Sequence, residues 1–303
     1  VSPSTVLDVL KKSTVFLERK GVPEARHDAE RLLAACLNMA RLDLYLSFDR
    51  PLSEAELDAA RKLVQRRGRR EPLQYVLGDQ PFRNLTMMVT PDTLIPRPET
   101  EEVVDWALVA VDRLSNSDRL SAPDRLSAPD RLSVLDVGTG SGCIALSLAQ
   151  ERPDLRVLAV DESAAALVVA GRNCEACGLA DRVRFAQGDL YGPALGERFG
   201  LIVSNPPYLT PAEWDVAQEE VREHEPRTAL VGGDDGLLFY RRLFAEAPDY
   251  LHPAGAVVVE IGCDQGPSVL SIAEDAGFVE VTIHQDLGGR DRAVSAWRPE
   301  MEK

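Results

Sequence analysis

Val134-Leu135-Asp136-Val137-Gly138-Thr139-Gly140-Ser141-Gly142-Cys143 is the stretch whose reading decides the fold. Its first four residues read as a short buried strand, the glycines as a tight turn, and Ile144 to Gln150 as the start of a helix. Glycines at a strand-to-helix turn let a ligand approach the backbone and present the N–H groups of a helix N-terminus to it. The spacing is G-x-G-x-G. A dinucleotide turn, G-x-G-x-x-G, needs glycine where Cys143 stands, so the pattern favours a compact ligand with a carboxylate over one with a pyrophosphate.

Three further strands follow. Arg156 to Val160 ends at Asp161, and an acid at the tip of the second strand is where this architecture binds ribose hydroxyls. Val183 to Ala186 leads to Gly188-Asp189-Leu190, with Asp189 placed to accept an exocyclic amine and Leu190 beside a purine face. Phe199 to Ser204 runs into Asn205-Pro206-Pro207-Tyr208. Two successive prolines have no N–H to donate, so the strand stops there and leaves an Asn side chain and a Tyr ring at its C-terminal end. In open α/β sheets that end is where ligands bind. The Asn oxygen and a neighbouring carbonyl can each accept one hydrogen of an NH2 group, with the Tyr ring packed on the flat group that carries it. The same four residues would also serve as a plain strand-ending loop.

Downstream, Gly232-Gly233-Asp234-Asp235-Gly236 reads as a loop before a helix from Leu237 to Ala247, and Ala256 to Ile261 as a fifth strand. Val279 to His284 and Ala293 to Trp297 read as a closing pair at the sheet edge. Upstream, residues 118 to 133 repeat Asp-Arg-Leu-Ser-Ala-Pro with a period of six, which predicts a surface insert that buries little. Residues 94 to 101, Leu-Ile-Pro-Arg-Pro-Glu-Thr-Glu, form a stiff charged corner, either a linker or one wall of a cleft.

The first 70 residues read as all-helical, with Ser53-Glu54-Ala55-Glu56 a capping box. Arg66-Arg67-Gly68-Arg69-Arg70 reads as a solvated helix end or a docking patch for RNA or an acidic partner. Leu73 to Gly78 and Leu85 to Val89 read as short strands about a turn. The domains expected are thus 1–70, helical and substrate-docking, 71–98, a hairpin linker, and 99–303, catalytic, with the insert at 117–133.

With 45% hydrophobic and 27% charged residues the chain has ample material for a core, and no apolar run approaches the ~20 residues of a membrane span. A charged start without a secretory pattern and five scattered cysteines predict a reducing, cytoplasmic setting. Cys174 and Cys177 lack the second pair of a zinc site and read as a structural pair on a helix, so no metal is expected. A net charge of −15 disfavours phosphate backbones and favours a basic protein partner. Nothing demands more than a monomer.

The order of motifs resembles the class I S-adenosylmethionine (SAM) methyltransferases. Arg70 to Tyr75, Ile95 to Glu101, Asn205 to Tyr208 and Glu225-Pro226-Arg227-Thr228-Ala229-Leu230 narrow the resemblance to the HemK/PrmC family, over nearly the whole chain. The repeat insert is the one clear departure. The resemblance implies a Rossmann-like, mostly parallel seven-stranded sheet with a small helical N-terminal domain. It implies SAM held by Gly138, Thr139, Gly140, Ser141, Gly142, Asp161, Asp189, Leu190 and Asn205. It further implies a glutamine of a peptide chain release factor held by Asn205, Pro206, Pro207 and Tyr208, with Asn205, Pro206 and Tyr208 as the catalytic set. The rival readings are a nucleic-acid adenine-N6 methyltransferase using the same tetrapeptide, a dinucleotide oxidoreductase, and a non-catalytic adaptor.

Overall fold

A computed structural model describes residues 4–116 and 133–300; the hexapeptide repeat, save Ser133, lies outside the described residues. The chain divides into two compact units, one running through Asp79 and taking in Ala217–His224, the other Gln80–Val216 and Glu225 onward.

The first unit is helical: α1 (Val6–Arg19), α2 (Ala25–Cys36), α3 (Arg41–Leu46), α4 (Glu54–Arg67) and α5 (Leu73–Leu77). Thr5 and Ser53 open α1 and α4 with full capping boxes, each side chain accepting from the N–H three residues on while Asp8 or Glu56 reaches back. The core gathers Val6, Leu10 and Leu17 of α1 against Ala29, Leu32 and Leu33 of α2, with Leu73 and Val76 of α5. Leu73 to Gly78 is therefore not a strand. Pro72 precedes the first turn, Leu73 and Val76 share its buried side, and Gly78 ends it at φ +90°. The basic run is solvated only in part: Arg69 is exposed, but Arg67 is 5% exposed and pairs with Asp28 at 2.7 Å and Glu220 at 2.9 Å, while Arg70 takes Glu220 at 2.5 Å. Glu220 comes from the short helix Glu219–His224, which belongs to this unit.

The second unit, from Gln80, holds the rest of the hairpin of β1 (Asp79–Phe82) and β2 (Leu85–Met88), then α6 (Pro98–Asn116). Five strands follow, β3 (Ser133–Val137), β4 (Arg156–Asp161), β5 (Val183–Gln187), β6 (Phe199–Ser204) and β7 (Leu251–Glu260), with β8 (Val279–Gln285) and β9 (Asp291–Trp297) last. They make one sheet in the order β5-β4-β3-β6-β7-β9-β8, parallel except where β9 pairs antiparallel with β7 and β8. Parallel strands covered on both faces read as continuous apolar runs, as Phe199–Ser204 does with every residue buried. The pleat sends Val134, Val157, Leu201 and Val258 to α6, α7 (Cys143–Glu151) and α8 (Ala164–Ala176). It sends Leu135, Leu158, Ile202 and Val257 to α9 (Leu238–Tyr250) and α10 (Gly266–Asp275) on the other face. Cys174 sits in the first of these cores with Cys177 packed against it, the structural placement expected of the pair. The sheet order and three layers are those of the class I methyltransferase fold.

Candidate active site

The chain runs from β3 outward through β4 to β5, then returns to place β6 on the other side of β3. That reversal leaves a crevice at the strands' C-terminal ends, where α/β folds bind ligands. Val137 of β3 pairs with Ser204 of β6, and the Ser204 hydroxyl donates to the Val137 carbonyl at 2.7 Å. The glycine turn after Val137 and Asn205 after Ser204 are thus neighbours by register.

The crevice wall includes Gly138, Gly140, Asp161, Asp189, Leu190, Asn205, Pro206 and Pro207. Gly140 has φ +56°, and a Cβ there would meet nothing within 4 Å, so the backbone faces open space. Its N–H donates to Asp161 Oδ2 at 2.8 Å, and Ser163 N–H donates to Oδ1 at 2.9 Å. The acid at the tip of β4 is therefore fixed against the glycine turn by two backbone donors. Asp189 reaches the wall with one oxygen paired to Arg242 at 2.6 Å. Thr139, Ser141 and Gly142 do not line the wall. The Thr139 hydroxyl turns inward and donates to Asp136 Oδ2 at 2.6 Å, and Gly142 instead caps α7. Asp136 is wholly buried, and burial pushes its carboxyl up to about 7 against the pull of Thr139 and the Ala145 N–H.

Asn205 is oriented from behind. Its Nδ2 donates to Thr100 Oγ1 at 3.1 Å, and that hydroxyl donates to Glu260 Oε2 at 2.6 Å. The Tyr208 hydroxyl donates to Glu260 Oε1 at 3.4 Å, so the tyrosine turns toward the sheet and is not on the crevice wall. Glu260, the last residue of β7, is 1% exposed, and burial pushes its carboxyl up to about 7, opposed by the Thr100 hydroxyl and the Arg292 charge. Gln265 clamps the strap, donating to the Tyr208 carbonyl at 3.0 Å while its Oε1 accepts the Gly262 N–H at 3.0 Å. At Gly232 a Cβ would lie 2.3 Å from the Pro207 oxygen, so two backbones meet where only glycine fits.

Of the corner at 94–101, Leu94 lines the crevice, next to Asp92 and Thr93 just before it, while Pro96, Arg97 and Pro98 do not. Arg97 does not project freely, since its guanidinium pairs with Glu225 at 2.5 Å and the other Glu225 oxygen accepts the Ile95 N–H at 3.1 Å. Asn173 of α8 joins the hairpin to the glycine turn, exchanging bonds with the Met88 backbone and donating to the Ser141 carbonyl at 2.9 Å.

Comparison with known proteins bears on this arrangement. The PrmC N-terminal domain profile matches residues 8–78, and the methyltransferase small domain profile matches 122–228. A release factor glutamine methyltransferase from Geobacter sulfurreducens is 45% identical over 290 residues, covering 96% of this chain and 95% of its own. The chain belongs to the release factor glutamine methyltransferase family. Another member, from Xylella fastidiosa, is 45% identical over 269 residues, 89% of this chain and 92% of its own. A methyltransferase of known structure from Pyrococcus furiosus is 17% identical with a TM-score of 0.50, over 72% of this chain and 91% of that one, a likeness of fold alone.

Within this family member, sequence reasoning named the residues that face the crevice more readily than those behind them. Nothing in the sequence alone marks Thr100 or Gln265 as supports of the site. Glu260 carried a signal, a lone acid closing the apolar run Ala256–Val259, that reading the run only as a strand overlooked. Among the described residues no helix is long and apolar enough to cross a membrane.

Proposed function

We propose that this chain transfers a methyl group from SAM to the side-chain amide nitrogen of the glutamine in the Gly-Gly-Gln motif of a peptide chain release factor. One observation carries the reading: β3 and β6, paired at Val137 and Ser204, bring the glycine turn and Asn205 to one crevice. The residues fit SAM. The open face at Gly138 and Gly140 accepts a ligand against the backbone, and Asp161 stands beside it as a hydroxyl acceptor, with Asp189 and Leu190 further along the wall for an amine and an apolar ring. Thr139, Ser141 and Gly142 support that turn from within. When bound, SAM supplies a methyl group on a positively charged sulfur.

The chain's own task is to make a poor nucleophile react, because an amide lone pair is conjugated with its carbonyl. Asn205 Oδ1 and the Pro206 carbonyl accept the two hydrogens of the glutamine NH2, and this holds the lone pair toward the methyl. Fixing a near-attack geometry supplies much of a barrier reduction. The same acceptors stabilise positive charge as it grows on nitrogen, electrostatic preorganisation in which acceptors take the place of donors. Pro207 keeps the strap stiff, and Tyr208, turned away from the crevice wall, braces the strap from behind through its hydroxyl's bond to Glu260. The nitrogen's extra proton leaves to water, and a net charge of −15 favours a basic protein partner over nucleic acid.

The test is intact mass and peptide mapping of a purified release factor incubated with this protein and SAM. One added methyl on the Gly-Gly-Gln glutamine, absent when that glutamine is replaced, is the expected result. SAM binding without such transfer, or transfer to an oligonucleotide instead, would overturn the substrate assignment.

A further inference from the structure

An asparagine amide is nearly symmetric in shape but not in chemistry. A site that needs its oxygen must stop the group from turning over. Behind Asn205 stands a chain of two hydrogen bonds, Nδ2 to Thr100 Oγ1 at 3.1 Å and the Thr100 hydroxyl to Glu260 Oε2 at 2.6 Å. Thr100 and Glu260 are 2% and 1% exposed, and neither lines the crevice.

The direction of the chain follows from counting hydrogens. With Glu260 ionised, as it is above the value of about 7 to which burial pushes it, the carboxylate has no hydrogen to give, so the single hydrogen of the Thr100 hydroxyl goes to Glu260. Only lone pairs then remain on Oγ1 to face Asn205, and they accept from Nδ2. A turned-over amide would set Oδ1 against those lone pairs with no hydrogen between them. The three residues also stand on separate, rigid supports: Asn205 follows β6, Glu260 ends the neighbouring β7, and Thr100 lies in the first turn of α6. Glu260 is held from its other side by the Tyr208 hydroxyl.

We infer that Glu260, acting through the Thr100 hydroxyl, is a positioning residue that fixes the Asn205 amide with Oδ1 toward the substrate NH2. This rests on the glutamine reading above and adds to it the device that makes Asn205 an acceptor and not a donor. Thr100→Val removes the relay. Glu260→Gln makes its direction optional, because a glutamine amide can donate to Thr100 and let that hydroxyl turn toward Oδ1. Thr100→Ser keeps it.

The experiment measures kcat, KM for the release factor and, by calorimetry, the SAM dissociation constant for wild type and these three variants. It repeats Thr100→Val in an Asn205→Ala background. Thr100→Val and Glu260→Gln should lower kcat by roughly 10- to 100-fold, the scale seen when a residue orienting a functional ligand is lost. Their SAM affinity should stay within about twofold and Thr100→Ser within about threefold of wild-type kcat, as expected when only the acceptor's orientation changes. In the Asn205→Ala background Thr100→Val should cost nothing more, since the residue it acts through is gone. Wild-type kcat in Thr100→Val or Glu260→Gln would overturn the inference, as would Thr100→Ser as slow as Thr100→Val or fully additive losses. If the wild-type arm binds SAM yet leaves the release factor unmodified, the glutamine reading fails first and the inference falls with it.

Discussion

Asn205 and Asp161 occupy the ends of different strands, and substitutions at the two should separate in kinetics. On the proposed mechanism Asn205→Ala removes an acceptor for the charge that develops on nitrogen, so turnover should drop roughly 10²-fold, the loss typical of one preorganised contact. SAM should still bind, and calorimetry beside steady-state rates checks both halves. Asp161→Ala should instead weaken SAM by ~1.5–3 kcal/mol, the range for hydrogen bonds to a charged group. An unchanged dissociation constant would remove Asp161 from the ligand's partners. Both residues were legible in the sequence because each closes an apolar strand and so must emerge at its C-terminal end. Thr139 and Ser141 were legible as members of the turn, but not in their direction. Which way a loop side chain faces depends on partners elsewhere, here Asp136 for Thr139. The same blindness hid Thr100, whose partners Asn205 and Glu260 lie far along the chain.

The loop at Gly232 and the strap Asn205–Tyr208 behave as a pair of elements. A methyl group at Gly232 would meet the Pro207 oxygen at 2.3 Å and the Tyr208 Cα at 2.9 Å, and both are backbone, so neither can swing aside. Gly232→Ala should therefore shift the strap, lowering kcat at least ~10-fold as positioning is lost and lowering Tm by several degrees. Rate and thermal melt together check this, and a wild-type rate would show that the strap has room to give. The elements most legible in the sequence were those with local causes: the capping box at Ser53, and the apolar run ending at two prolines. The misread ones had distant causes. Leu73–Leu77 is helical because Leu73 and Val76 fill the core of the helical unit, and a five-residue apolar stretch carries too little periodicity to reveal that. The basic run drew the reading its composition suggests, whereas Asp28 and Glu220 are what place Arg67 inside.

At the scale of the whole molecule, two carboxyls with folded-state values near 7 bias stability with pH. Asp136 and Glu260 are both buried, and each is raised from its ordinary value of 3.8 or 4.5. A raised carboxyl stabilises the fold fully below its unfolded value, and that contribution is lost as pH climbs through the folded one. Tm should therefore decline between about pH 4 and pH 7. Glu260→Gln, which cannot ionise, should flatten that decline and melt higher than wild type at pH 8. A Tm independent of pH across this window would mean that neither group titrates there. Asp235, lowered to about 2 by Arg241, acts in the opposite sense and only in strong acid. A residue that slows decay of the fold when neutralised yet slows catalysis too would explain why the chain keeps an acid in so costly a place.

The helical unit is discontinuous: Ala217–His224 belongs to it, and Glu220 of that segment meets the buried Arg67. Such a unit is not a bead that can be unstrung. A recombination event that moved only the stretch ending at Asp79 into another gene would deliver an arginine stripped of half its counter-charge. A chain cut after Asp79 should therefore melt lower than the same unit supplied with Ala217–His224, and a melt of the two side by side checks it.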